Sequence, residues 1–141
     1  MADMDFRRFE DKVRDFLSTN GFVDVGGGSK FKIGDIQVDA CGGVEDYLVI
    51  IDATTTRTNI NRKITDMRGK LPQFKTFKVE NEGVELSQFK KYKEVLLVVA
   101  TNSSIDSGTQ EKALSFDPQV RIWDKQFFEY YRELKKLIRE S

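Results

Sequence analysis

Two aspartates stand where apolar runs end, Asp39 in IQVDA and Asp52 in LVIIDAT. Carboxylates placed this way can hold a hard divalent cation, because Mg²⁺ and Mn²⁺ take oxygen ligands and leave positions for water and phosphate. If the two runs form a hairpin, paired residues share a constant sum of numbers. Asp39 then faces Asp52 when the turn lies between Glu45 and Asp46. A turn at Gly42-Gly43 would instead set Asp39 against Asp46. Two acids held together repel unless a proton or a cation sits between them. An ion in that place can activate water and neutralise a phosphate during in-line displacement. Strand periodicity puts residue 54 on the face of residue 52, where a lysine would lie beside the ion and the attacking water. The chain has Thr54 there.

What the chain lacks narrows the chemistry further. It has no histidine and a single cysteine, Cys41, which removes Ser-His-Asp triads, Cys-His pairs and the usual zinc sites. Catalysis has to use carboxylates, lysines, hydroxyls or a hard cation. One cysteine forms no internal disulfide, and together with a charged N-terminus and no membrane-length apolar run this favours the cytoplasm. Net charge is zero but unevenly spread. Residues 1–56 carry 6 basic against 11 acidic side chains, and residues 57–93 carry 10 against 4. An acidic segment followed by a basic one suits a metal site next to a polyanion. A solvated helix rich in lysine gives the same count.

The elements that must position these residues follow from periodicity. Residues 5–20 form an amphipathic helix with Phe6, Phe9, Val13, Phe16 and Leu17 on one face, Asp3 or Asp5 as cap and Gly21 as stop. A short strand at 22–25 precedes the flexible Gly26-Gly27-Gly28. Alternation over 31–40 predicts a strand with one wet face, bent near Gly34. The run 47–54 does not alternate and belongs in the middle of a sheet. A helix over 59–71 buries Ile60, Ile64, Met67 and Leu71, and Pro72 kinks or ends it. A short helix near 86–92, a central strand at 95–100, a short helix near 110–114 and a strand at 120–123 follow. The closing helix, 125–139, is capped by Asp124 and packs through Phe127, Phe128, Tyr131, Leu134 and Ile138. The whole, residues 1–141, is one α/β domain with a central mixed sheet flanked by helices. Strands 47–54 and 95–100 run parallel across the intervening helix.

In this order, Phe9-Glu10 in the first helix, GDIQVDA with Asp39, LVIIDAT with Asp52, VLLVVATN and VRIWDKQFFEYYREL together resemble the PD-(D/E)xK nuclease superfamily. The likeness covers nearly the whole chain in element order, and in sequence it rests on a few residues. It implies a restriction-endonuclease-like αβββαβ core and hydrolysis of DNA with Mg²⁺ or Mn²⁺. Asp39 and Asp52 stand for the two motif acids, and Glu10 stands for the acid of the first helix. The motif lysine is replaced by Thr54. Lys63, on the helix after the strand, is the candidate for a lysine supplied from a neighbouring element. Arg57 and Arg62 are less suited, because an arginine is always protonated. The expected partner is DNA, with no membrane; a homodimer and a downstream domain of a longer chain are further expectations.

Each feature also has a plainer explanation. Asp39 and Asp52 can be polar strand ends bonded to turns, and Glu10 a solvated carboxylate. Lys63 is one lysine among many. The stretch GGGSK lacks the spacing of a phosphate loop and precedes a strand. Aromatics among the basic residues 57–93, Phe74, Phe77, Phe89 and Tyr92, can be core or can stack on bases. A domain that lost catalysis and binds nucleic acid or a partner protein, or a plain scaffold, are the competing functions.

Overall fold

In the computed structural model, which describes residues 2–55, 60–74, 78–116 and 119–140 with side chains from Phe9 to Ile138, the apolar run Tyr47–Thr54 (β5) is the central strand of five. Its neighbours are Val23–Gly26 (β1), Ala40–Val44 (β4), Glu94–Thr101 (β8) and Val120–Trp123 (β9), in the order β1-β4-β5-β8-β9. The β1–β4 and β4–β5 pairs are antiparallel, whereas β5–β8 and β8–β9 are parallel. The sheet is therefore mixed, as the lengths of the connections require: a two-residue turn reverses the chain, and a helix returns it in the same direction.

Burial on both faces accounts for the lack of alternation in β5. Leu48 and Ile50 point into one core, with Ile60, Ile64 and Met67 of the helix Ile60–Phe74 (α2). Val49, Ile51 and Ala53 point into the other, with Phe9, Val13 and Leu17 of the helix Ala2–Thr19 (α1) and Trp123 of β9. Two more helices, Ser107–Ser115 (α3) and Lys125–Glu140 (α4), complete the flanks. Buried Asp124 caps α4 by accepting the Phe127 amide at 3.0 Å, and it also accepts the Ile105 amide at 2.9 Å. One carboxylate thus ties the start of the last helix to the approach to α3.

Four sequence expectations are corrected. The alternating stretch 31–40 is two short strands, Phe31–Ile33 (β2) and Ile36–Gln37 (β3), joined at Gly34-Asp35 and lying outside the main sheet. They pair with a second hairpin, Val79–Asn81 (β6) and Val84–Glu85 (β7), to form a small antiparallel sheet. The β6–β7 turn has Glu82 at φ 54° and Gly83 at φ 85°, the doubly left-handed geometry that matches the twist of a tight hairpin. Second, Gly42 and Gly43 are strand and not turn; a Cβ on Gly43 would run into the Tyr92 hydroxyl. Third, α1 begins at Ala2, so Asp3 and Asp5 lie inside its first turns, and α2 continues through Pro72 to Phe74. Fourth, only the first part of the proposed packing face of α4 is covered. Trp123 stacks on Phe127 with centroids 4.8 Å apart, and Phe16 meets Phe128 edge to face. Further along, Tyr131 and Leu134 are each 37% exposed and Ile138 is 65% exposed, because a 16-residue helix runs roughly 24 Å and outreaches the short β9. A 3-10 turn at Ser87–Lys91 stands where a short helix was expected. Arg57, Phe77 and the side chain of Phe6 lie outside the described residues.

A polar latch holds the β1 edge to the 3-10 turn. Asp24, at φ 53°, accepts the buried Tyr92 hydroxyl at 2.6 Å and pairs with the Lys91 ammonium at 3.1 Å. The Tyr92 hydrogen bond, followed by the lysine charge, holds the Asp24 carboxyl below its usual range, and burial and Asp24 push the Tyr92 phenol up. A charge-assisted hydrogen bond of this kind contributes more than a neutral one. Tyr92→Phe is expected to cost about 1–2 kcal/mol in urea unfolding, and an unchanged midpoint would remove the latch from the account of stability. No helix among the described residues is long and apolar enough to cross a membrane.

Candidate functional site

The β4–β5 register decides whether the two aspartates meet. Pairs Ala40↔Ile51, Cys41↔Ile50 and Val44↔Tyr47 put the turn at Glu45-Asp46, with Glu45 at φ 55°. Extending that register by one residue brings Asp39 opposite Asp52, and the Gly42-Gly43 alternative is excluded. Asp39 lies just before the first residue of β4, so its side chain and not its backbone continues the ladder. Its Oδ2 accepts the Ala53 amide at 2.9 Å. The Asp39 carbonyl in turn accepts from Nη1 of Arg14 on α1 at 2.7 Å.

A glycine makes this placement possible. Gly27 has φ 136°, and a Cβ there would strike the Asp39 carbonyl and the Ala40 backbone. The Gly28 amide donates to the Val38 carbonyl at 3.0 Å. The GGG segment therefore lies flat against the residues that present Asp39, which needs both positive φ and the missing side chain. These glycines, expected as a flexible link, form a closely packed crossing.

Three acids adjoin, with Asp39 in the middle. It is within hydrogen-bonding reach of Glu10 on α1 and of Asp52 on β5. Burial and the Glu10 carboxylate push the Asp39 carboxyl up to about 6, against the lowering effects of Asp52 and the Ala53 amide. Burial and then Asp39 push Asp52 up to about 7, against the lowering effects of Lys63 and Lys70. The two carboxyls are coupled, so their proton losses belong to the pair and not to either residue alone.

Lys63 lies where the sequence reading put it. Its Nζ is 3.8 Å from Oδ2 of Asp52, with the lysine side chain 35% and the aspartate side chain 20% exposed. The helix after the strand thus delivers an ammonium to the acid that most lacks compensation. Thr54 is 3% exposed, level with Thr101 in the parallel register. The position two residues after Asp52 is therefore buried. Arg62, the alternative cation, is exposed on α2.

Two groups escaped the sequence reading although their spacing held the signal. Arg14 is one helical turn from Glu10 and shares its edge of α1, and Lys70 is two turns from Lys63 and shares its edge of α2. The same amphipathic logic points Phe9, Lys12 and Phe16 the other way, into a cleft of about 700 Å³ between α1 and α4. That cleft and the acid pair are served by different edges of α1.

The donor set fits Mg²⁺ or Mn²⁺ in one specific form. Among the described residues no three acids are arranged to grip an ion together, so a closed all-protein cage is not present. Mg²⁺ does not need one: it is commonly held by one or two carboxylates, with water and substrate phosphate completing its shell. Asp39 and Asp52 are such a pair, both raised first by burial and then by a neighbouring carboxylate. Glu10 lies beside Asp39, on the side away from the Asp52 pairing.

Compared with known proteins, the chain matches no family model, no curated protein and no solved structure at a significant level.

Proposed function

We propose that this domain is a nuclease of the PD-(D/E)xK kind that hydrolyses DNA phosphodiesters with Mg²⁺ or Mn²⁺. The observation that carries the reading is the meeting of Asp39, Asp52 and Lys63 at the end of a buried strand. Its support from the fold is the succession α1-β1-β4-β5-α2-β8 in and around the main sheet, which agrees with a restriction-endonuclease-like core once the small sheet is set aside as an insertion.

Asp39 and Asp52 would hold the ion, which supplies Lewis-acid activation of water and charge neutralisation at the phosphate. The Ala53 amide fixes one oxygen of Asp39, leaving its other oxygen and the Asp52 carboxylate for ligation. Lys63 orients the nucleophile and stabilises the developing negative charge from the α2 side, in place of a residue-54 lysine. Its ammonium can also take part in proton transfer, which a guanidinium does poorly. Both acids have to be ionised to hold the ion, so protons compete with it and activity falls as pH falls.

The competing reading is a domain that keeps the fold and binds DNA or a partner protein without cutting. Burial of Thr54 and the lack, among the described residues, of a third ligand in position favour it. A plasmid assay separates the two. Nicking of supercoiled DNA that requires Mg²⁺ or Mn²⁺ and stops with EDTA is the expected result. Salt-sensitive retention of the plasmid without nicking, over pH 6–9, would replace the hydrolase with the binding module.

A further inference from the structure

We infer that the cleft between α1 and α4 is a binding site for a small aromatic anion, a molecule of one or two fused rings carrying a carboxylate, sulfonate or phosphate. The cleft lies apart from the acid pair, on the other edge of α1, and the inference does not rest on the nuclease reading.

The floor of the cleft is aromatic and unfinished. Phe9 is buried there, but Phe16 and Phe128 are only half-buried and Tyr131 is exposed. Their rings meet nearly at right angles. Phe16 and Phe128 have centroids 5.1 Å apart at 89°, and Phe16 and Tyr131 are 5.5 Å apart at 89°. This packing sets ring faces beside ring edges, so one more flat ring can continue the array against either. An aliphatic chain would gain from buried area alone and would lose more rotational freedom on entering.

The shape suits a small ligand. At about 700 Å³ the space falls within the range of ligand pockets, roughly 300–1,000 Å³. At one end the Lys135 Nζ donates to the Thr19 carbonyl at 2.9 Å, strapping α4 to α1. That bond makes a pocket of what would otherwise be an open groove between helices.

Charge on the walls decides the sign of the ligand. Lys12, Lys125, Arg132 and Lys135 bring four cations to the cleft, against the two carboxylates of Asp15 and Glu129. Among the described residues none of the four is ion-paired with a carboxylate. Lys135 binds an uncharged carbonyl, a contact that leaves its charge in place. Cations beside a low-dielectric aromatic floor attract an anion more strongly than the same cations on an open surface. A neutral ring would use the floor and leave this charge unanswered; an anionic ring uses both.

The test is isothermal titration of the full chain with 2-naphthoate, in EDTA so that no divalent ion takes part. One saturable site per chain is expected, with neutral 2-naphthylmethanol and aliphatic decanoate each about tenfold weaker. Arg132→Gln and Lys12→Gln each weaken 2-naphthoate about threefold or more and leave 2-naphthylmethanol unchanged. Tyr131→Leu weakens both aromatic compounds. Lys32→Gln on β2 and Leu137→Gln at the exposed end of α4, both outside the cleft, change nothing. Circular dichroism confirms that each variant is folded. Lack of a saturable site up to about 5 mM 2-naphthoate overturns the inference. Equal binding of 2-naphthylmethanol overturns it by removing the anion, and tighter binding of decanoate by removing the ring. An affinity unmoved by Arg132→Gln and Lys12→Gln, or lowered by Leu137→Gln, overturns it by placing the site elsewhere.

Discussion

Lys63→Met is expected to lower the proposed Mg²⁺-dependent cleavage of DNA by about 100- to 1,000-fold, a loss of roughly 3–4 kcal/mol in transition-state stabilisation. The substitution keeps most of the side chain's length and apolar stem, so the border of α2 stays packed while the charge 3.8 Å from Asp52 disappears. Two effects then add. The transition state loses its positive partner, and Asp52, already raised to about 7 by burial and Asp39, loses one of the two lysines that lower it. The pH at which cleavage switches on therefore moves upward in Lys63→Met, in addition to the fall in rate. Lys63→Arg separates these effects: it preserves the charge and so the pH midpoint, while kcat falls because a guanidinium is a poor proton-transfer group. Quenched cleavage of a labelled duplex across pH 6–9 measures both. A Lys63→Met enzyme with wild-type rate and midpoint would remove Lys63 from the site and leave Thr54 as an unreplaced loss.

How much of this was legible beforehand depended on the range of the interaction. The hairpin rule needed only two residue numbers, and the turn at Glu45-Asp46 followed from demanding that Asp39 meet Asp52. Central strands β5 and β8 announced themselves because burial on both faces erases alternation. The stretch 31–40 misled for the converse reason. Its alternation is genuine, since Phe31 and Ile33 are buried with Lys32 exposed between them, but periodicity does not say which sheet a strand joins. Its partner, β6, lies more than forty residues away. Gly42-Gly43 looked like a turn because glycine's usual role is conformational. In β4 the need is steric, since Tyr92 and Phe22 occupy the space that side chains would fill. The exposed end of α4 was unreadable from its own pattern. An amphipathic stripe shows that a face is apolar, not that the fold has anything long enough to cover it. Arg14 and Lys70 were recoverable from helical spacing, but only after Glu10 and Lys63 had been given an edge to share.

Asp52→Asn is expected to do two opposite things: abolish cleavage and stabilise the protein above neutral pH. Unfolded, the carboxyl titrates near 3.8; folded, it is pushed up to about 7, chiefly by burial and then by Asp39. A group raised by folding gives its full stabilisation below the unfolded value and loses it as pH climbs through the folded one. In EDTA the wild type should therefore weaken between about pH 4 and pH 7–8, as Asp39 and then Asp52 are forced to carry charge in a site that resists it. Asparagine cannot ionise, keeps a carbonyl and gains a donor toward Asp39, so this part of the pH dependence flattens. At pH 8 the gain should be roughly 2 kcal/mol in urea unfolding, below the ceiling set by about 1.4 kcal/mol per pKa unit because relaxation and water soften the repulsion. Mg²⁺ or Mn²⁺ should stabilise the wild type at pH 8 by RT ln(1 + [L]/Kd), about 2.7 kcal/mol at a hundredfold excess over Kd, and leave Asp52→Asn almost unmoved. The two curves should thus meet when the ion is added and separate when it is chelated. If Asp52→Asn instead weakens the apo-protein at pH 8, the carboxylate is a structural partner of the strand end. The strain at the Asp39–Asp52 pair, on which the metal site depends, would then have no basis.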